Sequence, residues 1–146
     1  MQERIQMAGH WRWGVAALLS AGILATTAQA QALQRSEVLG AWTLRMTPAE
    51  GGSARITIKT DTGRLDMPVT ITARGASGLD CVVDGEPAEC RVRRGELTIA
   101  LRMDDTRMTF TLNSRRGSAF SGNARLAFPL LPFGSMQLGT ASLTRR

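Results

Sequence analysis

The chain has 146 residues, with 18 Lys and Arg against 12 Asp and Glu, two Cys, no Tyr and one His. That histidine, His10, falls in a leader segment, so the remainder of the chain holds none. A domain without histidine cannot build a Ser-His-Asp triad, a Cys-His pair or the histidine ligands of most catalytic zinc sites.

Residues 1–30 read as a secretory signal. Arg4 and Arg12 make a positive n-region, Gly14 to Ala25 is an apolar h-region, and Ala28-Gln29-Ala30 supplies a small-x-small cleavage site. Ala30-Gln31-Ala32 offers a second site two residues on. A membrane span needs about 20 apolar residues, so no stable span is expected after cleavage. The leader places the protein in the periplasm of a bacterium or outside the cell. Cys81 and Cys90 fit that compartment, because disulfides persist in oxidising spaces. Residues 31–37 read as an N-terminal tail and 38–146 as one β-barrel domain.

Beyond the leader, period-two alternation repeats with turn residues every few positions. It predicts nine candidate strands, at 38–46, 54–60, 64–73, 79–83, 88–93, 96–103, 107–113, 119–128 and 135–144. From Arg64 to Arg74, Leu65, Met67, Val69, Ile71 and Ala73 share one face, while arginine, aspartate, proline and threonine share the other. The connections are short, which forces antiparallel neighbours. The fold expected is therefore all-β, a single antiparallel meander of eight or nine strands closing into a small barrel.

Apolar parity sets the registers, because a one-residue slip exchanges the two faces. It pairs Thr60 with Leu65, which sets Asp61 opposite Arg64 and Lys59 opposite Asp66. It pairs Val83 with Ala88, Cys81 with Cys90 and Asp80 with Arg91 around a turn at Asp84-Gly85-Glu86-Pro87. It pairs Val92 with Leu97 and Arg93 with Glu96. Directly opposed cysteines lie within disulfide reach, so a structural Cys81–Cys90 bridge is expected.

The carboxylates at Asp104-Asp105 and at Asp84, Glu86 and Glu89 sit in or beside turns, with no convergence of the kind general acid–base pairs need. No catalytic residue, metal site or cofactor is expected, and the protein is read as a non-enzyme. Arginines are spread over nearly every strand without a basic-aromatic platform, which argues against nucleic acid. Arg91-Val92-Arg93-Arg94 and Arg115-Arg116 are local concentrations suited to anionic lipid headgroups or acidic polysaccharide.

Two features suggest apolar binding. Met46, Met67, Met103, Met108 and Met136 all fall on the expected inner face, and methionine adapts to varied apolar partners. Phe128-Pro129-Leu130-Leu131-Pro132-Phe133-Gly134 is an apolar connection where a polar one is usual. Met46, Met67, Met103, Met108, Leu130, Leu131 and Phe133 are the candidate ligand-binding residues. The occupant is a small apolar or amphipathic ligand, or else an envelope protein meeting a protein-interaction factor. In that second reading the contact is made by the tail at 31–37, as in a protease inhibitor, or by the apolar loop, as in an assembly factor. The protein is expected to be a monomer.

Gly40-Ala41-Trp42-Thr43-Leu44 resembles the Gly-x-Trp opening of the calycin barrels, a group that includes lipocalins, avidin-like proteins and small periplasmic inhibitors of bacterial metalloproteases. The resemblance implies that Trp42 closes one barrel end beneath a late-strand arginine, the part open to Arg145. The inhibitors set one cysteine close behind the Trp strand, a spacing that Cys81 and Cys90 do not follow.

Overall fold

Alternating apolar and polar residues become the inner and outer faces of a closed sheet. A computed structural model describes residues 32–50, 66–128 and 134–146. A short helix, α1 (Arg35–Val38), precedes eight strands: β1 (Gly40–Pro48), β2 (Asp66–Arg74), β3 (Gly78–Val83), β4 (Glu86–Arg93), β5 (Glu96–Met103), β6 (Thr106–Arg116), β7 (Ala119–Ala127) and β8 (Ser135–Arg145). Each strand pairs antiparallel with the next, and β8 returns to β1, closing the barrel. Closure removes the unpaired edges on which an open sheet would aggregate.

The expected strand at 54–60 lies outside the described residues, as do 1–31 with Ala28 and Ala30. The expected pairing of that strand with 64–73, which set Lys59 opposite Asp66, lies outside the described residues too. Among the described residues β2 pairs with β1, with Leu44 opposite Met67 and Arg45 opposite Asp66. Arg45 grips Asp66 through two hydrogen bonds of 2.7 Å each.

The β4–β5 hairpin has the expected register, Val92 opposite Leu97 and Arg93 opposite Glu96. The β3–β4 hairpin is shifted by two residues. Cys81 lies opposite Ala88, and Val83 lies opposite Glu86 rather than Ala88. The turn is the reason. Asp84 and Gly85 both take positive φ, 51° and 87°, the two-residue type I′ geometry that follows the twist of the flanking strands. A four-residue turn at 84–87 would forgo that match. The shift is even, so the faces are unchanged. Asp80 pairs with Arg74, at 3.5 Å, in place of Arg91.

The Cys81–Cys90 disulfide forms all the same, along a diagonal between the strands with Cα atoms 6.0 Å apart. Cys81 is buried, and Cys90 packs half-buried against the core. The bridge thus lies on the inner face, behind the hairpin.

Inside the barrel, Trp42, Phe110 and Phe120 are each at most 2% exposed, among Leu44, Ile71, Leu97, Ile99, Leu112 and Leu143. These inward side chains fill the interior, one of the two outcomes open to an eight-stranded barrel. Gly122 and Gly139 permit close interstrand contact. A Cβ on Gly122 would collide with the Thr111 carbonyl oxygen, and one on Gly139 with that of Thr47.

Candidate functional site

The two ends of the barrel differ in chemistry. At one end, residues 32–38 turn back over the opening. Leu33, in the 31–37 tail, is 3% exposed, and Val38, the first residue of the expected barrel domain, is fully buried, so the described part of the tail is anchored to the barrel end through Leu33. Burying these two aliphatic side chains stabilises by about 1.5–3 kcal/mol each. The Leu33 N–H donates to the Gly95 carbonyl at 3.2 Å. Arg35 donates to the carbonyl oxygens of Gly75, Ala76 and Gly78 at 2.8–3.1 Å, tying α1 to the β2–β3 turn.

Beneath α1, the Trp42 indole N–H donates to the Val38 carbonyl at 2.8 Å. The Trp42 and Phe120 ring centroids are 5.2 Å apart. Arg145, directly across the ladder from Trp42, places its guanidinium 4.5 Å from the centre of the indole. A second arginine does the same for Phe120. A register shift between Leu112 and Ser114 inserts one extra residue in β6. That bulge turns Arg115 to the side of Phe120, 5.9 Å from its ring centre. Arg115 also pairs with Glu37 of α1. The Glu37 carboxyl is held below its ordinary range, first by the Gln34 backbone N–H it accepts and then by Arg115. Period-two reading puts Arg115 on the outer face with Asn113. Only the bulge reverses it, and nothing in the residue pattern announces the bulge.

At the opposite end β1 finishes, β2 begins, and the β3–β4, β5–β6 and β7–β8 connections lie. Here the inner face carries a cross-strand row, Leu101 opposite Met108, Met108 opposite Leu126 and Leu126 opposite Met136. Met46 and Met108 are buried and Met67 half-buried. Met103 and Met136, expected inside with them, are instead 44% and 36% exposed. Each sits past the last fully covered ring of the wall, Met103 closing β5 beside the Asp104-Asp105 turn and Met136 near the start of β8. A second bulge, at Leu138, offsets β8 against β7 and brings Met136 level with Leu126. Leu130, Leu131 and Phe133 lie outside the described residues.

The candidate carboxylates do not converge. Glu89 is on the outer wall, bonded to Arg102 at 3.1 Å and to Arg107 at 2.5 Å. Asp84, Asp104 and Asp105 are exposed in turns. Among the described residues no three His, Cys, Asp or Glu side chains are grouped as metal ligands would be. Two shallow grooves lie on the outer wall among the described residues. One, of about 360 Å³, is lined by Arg91, Arg93, Arg94, Glu96 and Thr98. The other, of about 300 Å³, is rich in hydroxyl groups from β6, β7 and β8 around the first bulge.

Comparison of the chain with protein-family models, with curated proteins and with solved structures returns no match.

Proposed function

We propose that the protein is an exported, non-catalytic barrel that binds a small apolar or amphipathic molecule at its methionine-bearing rim rather than in an interior chamber. The observation that carries this reading is the inner-face row Leu101, Met108, Leu126 and Met136, which passes from buried to exposed where the wall ends. Met103 extends the row beyond Leu101. Flexible, polarizable thioethers at a rim can repack around ligands of different shape. Among the described residues, Met103 and Met136 give this rim exposed apolar surface that a ligand can reach. The disulfide supports export, since it requires an oxidising compartment. Arg145 over Trp42 supports the calycin likeness. Carboxylates that stand in solvated turns or against outer-wall arginines support a binding role over a catalytic one.

The test uses protein purified from cells producing the full chain. Native mass spectrometry should find the leader removed and a small molecule retained. In titration with the neutral apolar fluorophore N-phenyl-1-naphthylamine, Met103→Gln/Met136→Gln should weaken binding roughly five- to tenfold, as expected from the apolar area removed. Binding unchanged by the double substitution overturns the reading. A retained protein in place of a small molecule would assign the same rim to an envelope partner.

A further inference from the structure

We propose that the α1 end of the barrel docks on an anionic lipid surface, with the outer-wall groove on β4 and β5 receiving headgroup phosphates. Charge is segregated along the barrel. Among the described residues, nine of thirteen arginines belong to the strand halves, turns and helix at the α1 end, against three carboxylates, Glu37, Asp80 and Glu96. At the methionine end the balance reverses, with four arginines and seven carboxylates. Even spreading, as the sequence suggested, is therefore an effect of reading along the chain. The meander folds alternate strand ends onto the same rim.

Several arginines of the basic end have internal tasks. Arg35 holds carbonyl oxygens, Arg74 and Arg115 pair with carboxylates, and Arg145 covers Trp42. Arg91, Arg93 and Arg94 do not. Among the described residues none of the three makes an ion pair within 4.0 Å, although Glu96 stands opposite Arg93 in the ladder. They line one groove of about 360 Å³ together with Thr98 and one carboxylate, Glu96, so the groove carries three guanidiniums against one negative charge. Guanidinium forks match phosphate oxygens in pairs. The wider rim supplies further positive charge, which suits an extended array of phosphates better than a single soluble ion.

The path of the chain points the same way. Leu33 bonds to Gly95, and Ala32 packs against that glycine, next to Arg94. The chain thus enters the fold at the turn that bounds the groove. The apolar stretch ending at Ala25 is seven residues before Ala32, and seven extended residues reach about 25 Å at most. While that stretch is in a membrane, the groove is held close to the lipid surface. The proposal shares the export reading but is independent of the methionine rim.

Protein purified from cells producing the full chain is sedimented with neutral phosphatidylcholine vesicles and with vesicles that also carry phosphatidylglycerol. Binding to the anionic vesicles alone, lost as salt is raised, is expected. Each arginine near such a surface contributes about a fivefold factor, so Arg93→Gln/Arg94→Gln should weaken binding roughly thirtyfold. Arg91→Gln, mid-strand and clear of the turn, should weaken it about fivefold and guards against a turn defect. Arg125→Gln, at the other end, should leave binding unchanged. Equal binding to neutral vesicles, an equal loss with Arg125→Gln, or binding to heparin or inorganic phosphate with none to vesicles overturns the proposal.

Discussion

Leu33→Ala separates a plug from a tail. Leu33 is 3% exposed, so the substitution removes buried carbon and leaves space in the core cluster that also holds Val38 and Trp42. Buried Leu-to-Ala changes cost about 2–5 kcal/mol, depending on how far the surroundings collapse. The site is at a barrel end, under a four-residue helix that can settle inward, so the lower half applies, about 2–3 kcal/mol. The backbone bond to Gly95 survives the change. With a urea slope of about 1–3 kcal/mol per molar, the unfolding midpoint should fall by roughly 1–2 M. The melting temperature should fall by about 10 °C. Trp42 is the one tryptophan beyond the leader and lies beside Val38, so its fluorescence reports both the plug and the global transition. A midpoint displaced by less than the equivalent of about 0.5 kcal/mol, the range of surface substitutions, would refute the packing argument.

Cys81→Ala/Cys90→Ala should lower stability by about 2.5 kcal/mol, the loop-closure value for so short a ring. Urea unfolding of this variant should match that of the wild type under reductant. Gly122→Ala forces a Cβ against the Thr111 carbonyl and should cost about 1–3 kcal/mol, seen as a lower melting temperature with the disulfide intact. Glu37 has its carboxyl held below the ordinary value of 4.5 by the Gln34 N–H and by Arg115. Its contribution to stability is therefore complete above that value and is lost as pH falls through and below it. Urea midpoints measured down this range should drop more steeply for the wild type than for Glu37→Gln, and parallel curves would contradict the linkage.

Period-two patterning carried the architecture, because in a closed barrel every strand has one face on the core and one on water. Trp42, Leu44, Val69, Ile71, Leu97, Ile99, Phe110 and Leu112 are where alternation puts them. What parity cannot see is a shift of two residues, which keeps every face. The β3–β4 register was therefore open until the positive φ of Asp84 and Gly85 fixed it. Asp-Gly is the local signal that would have given it. Residues 32–38 escaped for another reason. A seven-residue stretch has no period to read, and its burial depends on an opening that exists only once the barrel has closed. Met103 and Met136 escaped likewise, since an inner-face position is buried only where the wall extends past it.

The bulges in β6 and β8 give the two rims their separate characters. Over most of its length the wall is a regular ladder whose inner face is apolar and whose outer face pairs Arg45 with Asp66 and Glu89 with Arg102 and Arg107. Between its ends such a wall offers little to recognise, and the groove on β4 and β5 lies at the α1 end. Specific chemistry has to come from the ends, where a strand must change which side chains it presents. The β6 bulge turns an arginine from the outer parity onto Phe120 and α1, closing and charging one rim. The β8 bulge sets Met136 level with Leu126 and Met108, leaving the other rim apolar. Each bulge lies next to a close-approach glycine, Gly122 opposite Leu112 and Gly139 beside Leu138. The insertions are thus supported by the neighbouring strand rather than being lapses in the ladder, as expected of bulges that re-aim side chains at a rim. Deleting the extra residue at Asn113 would make the ladder regular yet leave Arg115 opposite Phe120, because Leu112, Ser114 and Arg115 already pair with Gly122, Ser121 and Phe120. The α1 plug would then keep its Arg115–Glu37 pair and the methionine rim its row, so the cost of the deletion would fall on the bulge itself.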